Sequence, residues 1–238
     1  MRLRLLSGLT VMAILPAIIL AVPGGLGGLR PGFPAVAAGP SDPQGVVQCA
    51  NLIYGQSKSS VCFSDEFLAQ VQKDSNVRTN RRFCPVKLDS QEVYQYPFAV
   101  MSGDGAFMLS PVQRANLRSY LTRGGFLVAS SGCSSPAWDA SFRAEIKRSF
   151  PDVAMQKLPM THPIFHTVYD IRELKITHRQ GNAYLEGLEI DGRIVLIYSH
   201  EGLNDTSNAG PGCCCCGGNE IINARMVNVN LLAYALTH

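Results

Sequence analysis

The chain has 238 residues, with 21 Lys and Arg, 18 Asp and Glu, and a formal net charge of +3. Removal of the first 38 residues would take away Arg2, Arg4 and Arg30 but no acidic residue, which leaves 18 basic and 18 acidic side chains in 200 residues. A neutral chain of this size can bury one hydrophobic core, and its charge excludes a basic surface for nucleic acid.

The first 38 residues have the pattern of a secretory signal. Arg2 and Arg4 precede a largely apolar stretch of 18 residues at 5–22, and a Gly/Pro-rich stretch leads to small residues at 35–38. We predict cleavage after Ala37 or Ala38 and export to the periplasm or cell envelope. The alternative is an uncleaved N-terminal anchor, because 18 residues reach the lower limit of a membrane-spanning helix.

Residues 46–238 alternate between apolar runs and helical patterns, which predicts a single α/β domain. The first half predicts strands at 46–54, 82–86, 97–101 and 126–129, and helices at 64–74, 110–124 and 138–150. In the second helix, Ser110 is typical of an N-cap, Pro111 of the first helical position and Gly124 of the end. The strand–helix–strand unit at 97–129 indicates a parallel sheet whose strands open onto loops at their carboxyl ends.

The second half predicts a different arrangement. Asp191-Gly192 separates two apolar stretches at 184–190 and 193–198, which is a strong β-hairpin pattern. A long irregular loop at 199–218 and a closing helix at 219–236 complete the chain.

Blocks of this sequence resemble the bacterial family called domain of unknown function 4159. The blocks are YPFAVMSG, LSPVQRANLRSYLTRGGFLVASS, FRAEIKRSFP, LPMTHPIFHTVYDI and LEGLEIDGRIVLIYS, followed by a closing helix. That family is similar to the class I glutamine amidotransferase-like fold, a flavodoxin-like parallel sheet with helices on both faces. The resemblance therefore implies such a sheet over 46–238, with the C-terminal β-hairpin and closing helix added. It implies an exported or membrane-associated protein and no established activity.

The resemblance also suggests where a nucleophile would lie. In the amidotransferase-like fold, a helix ending in Gly-Gly and a short strand lead to the nucleophile, and counting from Gly124-Gly125 places Ser131 there, two residues before Cys133. The base for either residue would have to be a histidine, at position 166, 178 or 200. The local sequence has no G-x-S-x-G or G-x-C-x-G motif, and a polar loop without catalysis is the alternative. His200 and Glu201 are the best acid–base candidates, because they end another predicted strand.

Residues at the ends of the predicted strands are candidates for binding. Ser102, Gly103 and Asp104 follow the third strand and Ser130 ends the fourth. The glycines of residues 102–105 favour a tight turn, and the alternative is that they allow backbone N–H groups to approach an anion.

The cysteines permit two further interpretations. Eight are present, including the adjacent Cys213, Cys214, Cys215 and Cys216. An even number in an exported protein favours disulfides, whose pairing the sequence leaves open. Thiolates also bind zinc or copper(I), but four adjacent cysteines rarely reach one ion. We predict no cofactor, with zinc or copper as the alternative.

Three functional hypotheses follow. The first is a non-catalytic exported domain that binds a small molecule or a protein at the carboxyl rim of its sheet, through the loops at 102–105, 130–135 and 199–218. The second is an amidase- or hydrolase-like enzyme that uses Ser131 or Cys133 with a histidine. The third is a metal- or redox-responsive protein that acts through the cysteine run. None involves nucleic acid, and a membrane enters only through an uncleaved N-terminal segment.

Overall fold

The computed structural model describes residues 45–56, 60–178, 181–210, 212–213 and 218–238. The predicted signal peptide at 1–38 and the residues Cys214, Cys215 and Cys216 lie outside them. Within the described part of the chain, no helix is long and apolar enough to cross a membrane.

Seven strands form one mixed sheet in the order β2-β1-β3-β4-β7-β6-β5. Neighbours from β2 to β7 in this order are parallel, and β6 is antiparallel to both β7 and β5. The first four positions follow the 2-1-3-4 order of flavodoxin-like sheets, and β7 takes the place of their fifth parallel strand. The α/β prediction with a C-terminal hairpin is therefore confirmed. The strands are β1 Cys49–Ile53, β2 Cys84–Lys87, β3 Phe98–Gly103, β4 Phe126–Ser131, β5 Gln156–Lys157, β6 Glu186–Ile190 and β7 Arg193–Ser199.

In the described ranges, four α-helices cover the sheet: α1 Glu66–Asp74, α2 Pro111–Thr122, α3 Pro136–Ser149 and α4 Ala224–Thr237. The predicted start of α2 is confirmed in detail. The Ser110 side chain accepts a hydrogen bond from the Gln113 N–H, the Gln113 side chain accepts one from the Ser110 N–H, and Pro111 takes the first helical position. This local pattern needs no tertiary contact to form, which explains why the sequence predicts it well.

The helices pack on opposite faces of the sheet. Residues of α1 and α4 share one hydrophobic cluster with Phe98 and Val100 of β3. Residues of α2 and α3 share a second cluster with Ala99 and Met101 of the same strand. Because successive side chains of a strand point to opposite faces, the part of β3 between the two clusters has to be apolar at every position, as residues 98–101 are.

Two elements differ from the sequence-based prediction. The strand β5 was not predicted, because it has two exposed residues and exists only through its pairing with β6. The last helix begins at Ala224 and not at residue 219. Glu220 and Ile221 form an extended segment instead, with Ile221 bridged to Ile176 and the Glu220 carbonyl accepting a hydrogen bond from the Thr177 N–H. These residues become one wall of the pocket described below.

Candidate functional site

The predicted binding residues meet at the carboxyl ends of the central strands. Ser102 of β3 lies beside Ser130 of β4, which lies beside Ser199 of β7. The first two hydroxyls are buried and engaged within the protein. Ser102 Oγ donates to Asn204 Oδ1 at 3.0 Å, and the Leu203 N–H donates to Ser130 Oγ at 2.6 Å. Their role in the structure is to hold the segment after β7 against the rim.

The crevice where such folds commonly bind ligands is filled by aromatic side chains. In a sheet of this order, ligands bind where the chain leaves β1 and β3 in opposite directions. Here the buried Tyr54 hydroxyl donates to the Ser102 carbonyl at 2.9 Å and accepts from Trp138 Nε1 at 2.6 Å. Phe107 packs edge-on against Tyr54. Burial raises the pKa of Tyr54, so the phenol stays protonated.

Gly103 and Asp104, predicted as an anion-binding turn, close over this aromatic group. A Cβ atom added at Gly103 would lie 2.5 Å from the Tyr54 hydroxyl, so only glycine fits. The Asp104 carbonyl accepts a hydrogen bond from Ser135 Oγ at 2.5 Å. Asp104 itself is exposed. This turn therefore packs against the loop after β4, which the anion-binding interpretation did not foresee.

The predicted nucleophiles are both engaged. Ser131 is fully buried and its Oγ donates to the Ser135 carbonyl at 3.1 Å. Cys133 is disulfide-bonded. A serine nucleophile needs a free hydroxyl beside a base, and a cysteine nucleophile needs a thiolate. Ser131 would therefore have to release its hydrogen bond, and Cys133 its disulfide, before it could react.

The three candidate bases lie in different environments. His166 contacts the Asp170 carboxylate through Nδ1 and the Met160 carbonyl through Nε2, both at 2.7 Å. His178 lines a pocket with Cys133. His200 Nδ1 lies 3.7 Å from Asp139 Oδ1. The His166–Asp170 pair has the hydrogen-bonded carboxylate–histidine arrangement of a general base, but the Met160 carbonyl occupies its other ring nitrogen. The distance between His200 and Asp139 is longer than a hydrogen bond.

Asp139 is the centre of a polar network beside His200. Its Oδ1 accepts hydrogen bonds from the Tyr198 hydroxyl at 2.5 Å and from Arg143 Nε at 2.7 Å. Arg143 also binds the Glu186 carboxylate with two nitrogens. The network joins α3 to β6 and β7, and it gives Asp139 a structural role that is independent of His200. The predicted partner residue Glu201 is buried, with 4 % of its surface exposed.

A pocket of about 330 Å³ lies beside the end of β4, between segments that are distant in the sequence. One segment follows β4, one precedes β6 and two follow β7. The lining residues are Cys133, Thr177, His178, Asp205, Thr206, Ser207, Gly218, Glu220, Ile221 and Ile222. The volume is typical of the smaller ligand sites in proteins.

Glu220 is the most constrained charged group of this pocket. Its carboxylate accepts hydrogen bonds from the Thr206 N–H at 3.1 Å and from the Thr206 hydroxyl at 2.7 Å. The pKa of Glu220 is raised overall, and burial is the main cause. The hydrogen bonds from Thr206 lower the pKa, the charge of Asp205 raises it, and the charge of His178 lowers it. The Asp205 carboxylate is bound by Arg225 Nε at 3.0 Å.

The backbone around the pocket contains several residues in the left-handed region. Cys133, Ser134 and Asp205 have φ values of 54°, 50° and 52°. Non-glycine residues pay for this conformation, and such residues concentrate at functional sites. The Ser134 hydroxyl donates to the Asn219 carbonyl at 3.0 Å, which holds the turn after β4 against the pocket wall.

Disulfides connect the same loops. Cys62, which follows β1, is bonded to Cys213 in the long segment after β7. A disulfide sulfur is not a thiolate, so Cys213 in this state is not a metal ligand. Among the residues that the structure describes, no group of three or more His, Cys, Asp or Glu side chains could hold a metal ion. Cys49 and Cys84 are free thiols.

The family model described as Domain of unknown function (DUF4159) matches residues 49–236. The chain belongs to this family. The match covers every strand and most of α4, and it confirms the family predicted from the sequence blocks. The description assigns no activity to a DUF4159 domain, and the relationship to glutamine amidotransferases stays a prediction. No curated protein matches the chain.

The sequence predicted the neighbourhood of the pocket in this DUF4159 domain, but not its polar residues. Loop 199–218 contains Asp205 and Thr206, whereas Glu220 was assigned to the closing helix. No local motif identifies Glu220, because its partners come from two other segments. The available signal was weak: the two polar residues Asn219 and Glu220 between a glycine pair and two isoleucines.

Proposed function

We propose that this DUF4159 domain is a non-catalytic binding domain that holds a small polar molecule in the pocket formed by Cys133, His178, residues 205–207 and residues 218–222. The observation that carries the proposal is the pocket itself. It lies at the carboxyl rim of a doubly wound sheet and combines carboxylates, hydroxyls and apolar side chains, as small-molecule sites commonly do.

The state of the other rim residues supports binding over catalysis. Ser131 donates its hydrogen bond to a backbone carbonyl and Cys133 is in a disulfide. The crevice between β1 and β3 is filled by Tyr54 and Trp138. With the usual position of a reaction centre filled, the pocket beside the end of β4 is a place within the described residues that can accept a ligand.

The proposal includes action outside the cytoplasm. It is supported by the N-terminal pattern of a secretory signal and by the disulfide between Cys62 and Cys213. Disulfides persist in oxidising compartments and are rare in the cytosol. A domain of this kind would capture its ligand in the periplasm or cell envelope.

The test is a screen of small polar molecules by NMR on the isotope-labelled, oxidised protein. We expect binders to shift signals of Thr177, Thr206 and Glu220. A Ser207→Trp variant places a large side chain at the pocket lining and should remove these shifts. The matched control is Ala115→Trp at an exposed position of α2, which should leave them unchanged. Binders that shift only signals elsewhere, or that ignore the Ser207→Trp change, would overturn the proposal.

A further inference from the structure

The charged residues that line the pocket are mostly acidic. They comprise two carboxylates, Asp205 and Glu220, and one histidine, His178. Among the described residues, neither Lys nor Arg lines it. The carboxylates are therefore the main charged groups that this pocket offers to a ligand.

The two carboxylates are compensated unequally. Arg225 reaches Asp205 from the first turn of α4 and forms an ion pair at 3.0 Å. Glu220 receives its hydrogen bonds from Thr206, a neutral residue. Burial and the neighbouring charge of Asp205 raise the pKa of Glu220, which means that its negative charge is held at a cost. A second cation in the pocket would remove that cost.

The lining also contains apolar side chains next to Glu220. Ile222 is 64 % exposed, and Met226, in the first turn of α4, is 39 % exposed. Exposed large apolar side chains beside a polar pocket provide a surface for the hydrocarbon part of a ligand. The Ser207 hydroxyl and the Thr177 hydroxyl lie in the same lining and can accept hydrogen bonds from a donor-rich group.

We propose that the ligand is a small organic cation whose ammonium or guanidinium group binds between Asp205 and Glu220 and whose hydrocarbon part covers Ile222. The inference rests on the proposed function and adds the chemical class of the ligand. An ammonium group has three N–H donors and no acceptor, so it matches a lining that offers carboxylate and hydroxyl oxygens.

The experiment compares three probes of similar size that differ in charge: butylammonium, butan-1-ol and butyrate. Each is titrated into the oxidised protein at neutral pH and low salt, with chemical shifts of the pocket residues as the readout. We expect butylammonium to bind at least about fivefold more tightly than the other two, and this preference to shrink as salt is added.

Variants assign the preference to the carboxylates. Glu220→Gln keeps an oxygen that can accept from Thr206 and removes the charge, so butylammonium affinity should fall about fivefold while butan-1-ol affinity stays the same. Asp205→Asn provides a second test, because asparagine tolerates the left-handed backbone at this position. Asp152→Asn, at an exposed turn, controls for the loss of one negative charge.

The outcomes separate the two proposals. Equal or tighter binding of butan-1-ol or butyrate in the pocket would overturn the cationic ligand and leave the binding function standing. The same conclusion would follow if Glu220→Gln and Asp205→Asn kept the full preference for butylammonium. If neither these probes nor any screened molecule shifted the pocket signals, the binding function itself would fail.

Discussion

The carboxylate of Glu220 and both donors of Thr206 form a clamp across the long segment that follows β7. Glu220 Oε2 lies 2.7 Å from the Thr206 hydroxyl and 3.1 Å from its backbone nitrogen. The Glu220 N–H in turn donates to the hydroxyl of Thr177 at 3.1 Å. The Glu220 carboxylate thus fixes the two ends of the segment that contains Cys213, and the Glu220 backbone connects them to the chain before β6.

This clamp predicts how stability depends on pH. Burial is the main cause of the raised pKa of Glu220, so the folded protein holds this proton more tightly than the unfolded chain does. The protonated Glu220 therefore contributes its full stabilisation of the folded protein below its ordinary pKa of 4.5. This contribution is lost as the pH rises through the higher pKa of the folded state. Glu220→Gln removes the loss, and its melting temperature relative to the wild type should increase from about pH 4 to pH 7.

Melting curves of both proteins across this range, measured by circular dichroism, test the prediction. Asp205 and His178 face Glu220 and are the same in both proteins, so their titration largely cancels in the difference. A difference in melting temperature that stays constant or decreases with pH would contradict the assignment.

The disulfide between Cys62 and Cys213 should contribute to stability and to binding. It joins residues 151 positions apart, and the Ser64 hydroxyl supports the same contact by donating to the Asn208 carbonyl at 2.9 Å. A cross-link over a long loop restricts the unfolded chain, so we expect the Cys62→Ala/Cys213→Ala double variant to lose about 2–4 kcal/mol. We also expect weaker ligand binding, because residues 205–207 would lose a connection to the loop after β1.

Denaturant unfolding without reductant gives the free-energy difference. Cys84→Ala is the control, because Cys84 is a free thiol and only partly buried. If the double variant were as stable as this control, the disulfide would have no structural role.

The sequence predicted the elements that depend on local chemistry. Ser110, Gln113 and Pro111 specify the start of α2 within four residues, and Asp191-Gly192 specifies the turn between β6 and β7. The apolar character of β3 and β4 predicted strands covered on both faces, which the two clusters confirm. In each case the determining interactions lie within a few residues of one another.

The elements that the sequence did not predict depend on distant partners. Glu220 belongs to an extended segment because Thr177 and Thr206 bind it, although the apolar pattern after it favours helix. The contact between Tyr54 and Trp138 joins residues 84 positions apart and fills a crevice that the fold class would predict to be open. Such contacts carry no periodicity, so a local pattern does not reveal them.

Ser131→Ala separates the binding domain from the hydrolase alternative. Ser131 is fully buried and donates one hydrogen bond to the Ser135 carbonyl, so its removal should cost about 1 kcal/mol and leave pocket affinity unchanged. Activity is measured with a chromogenic acetate ester and with glutamine. Hydrolysis by the wild type that disappears in a folded Ser131→Ala variant would favour the enzyme. Thr206→Val should weaken ligand binding and leave any hydrolysis unchanged.

Gly103→Ala tests whether the crevice between β1 and β3 is filled as described. The added Cβ would lie 2.5 Å from the Tyr54 hydroxyl and 2.8 Å from Trp138 Nε1. Both side chains are buried, and their hydrogen bonds to each other and to the Ser102 carbonyl leave no direction in which they can move without losing a bond. We expect a loss of about 1–3 kcal/mol from overpacking.

The chain contains one tryptophan, so its fluorescence reports on this site directly and should shift to longer wavelength as Trp138 is displaced. Gly105→Ala is the matched control two residues away, because a Cβ there meets nothing within 4 Å. Equal stability and equal emission of the two variants would mean that the crevice between β1 and β3 has space for a side chain and is as open to a ligand as the pocket beside β4.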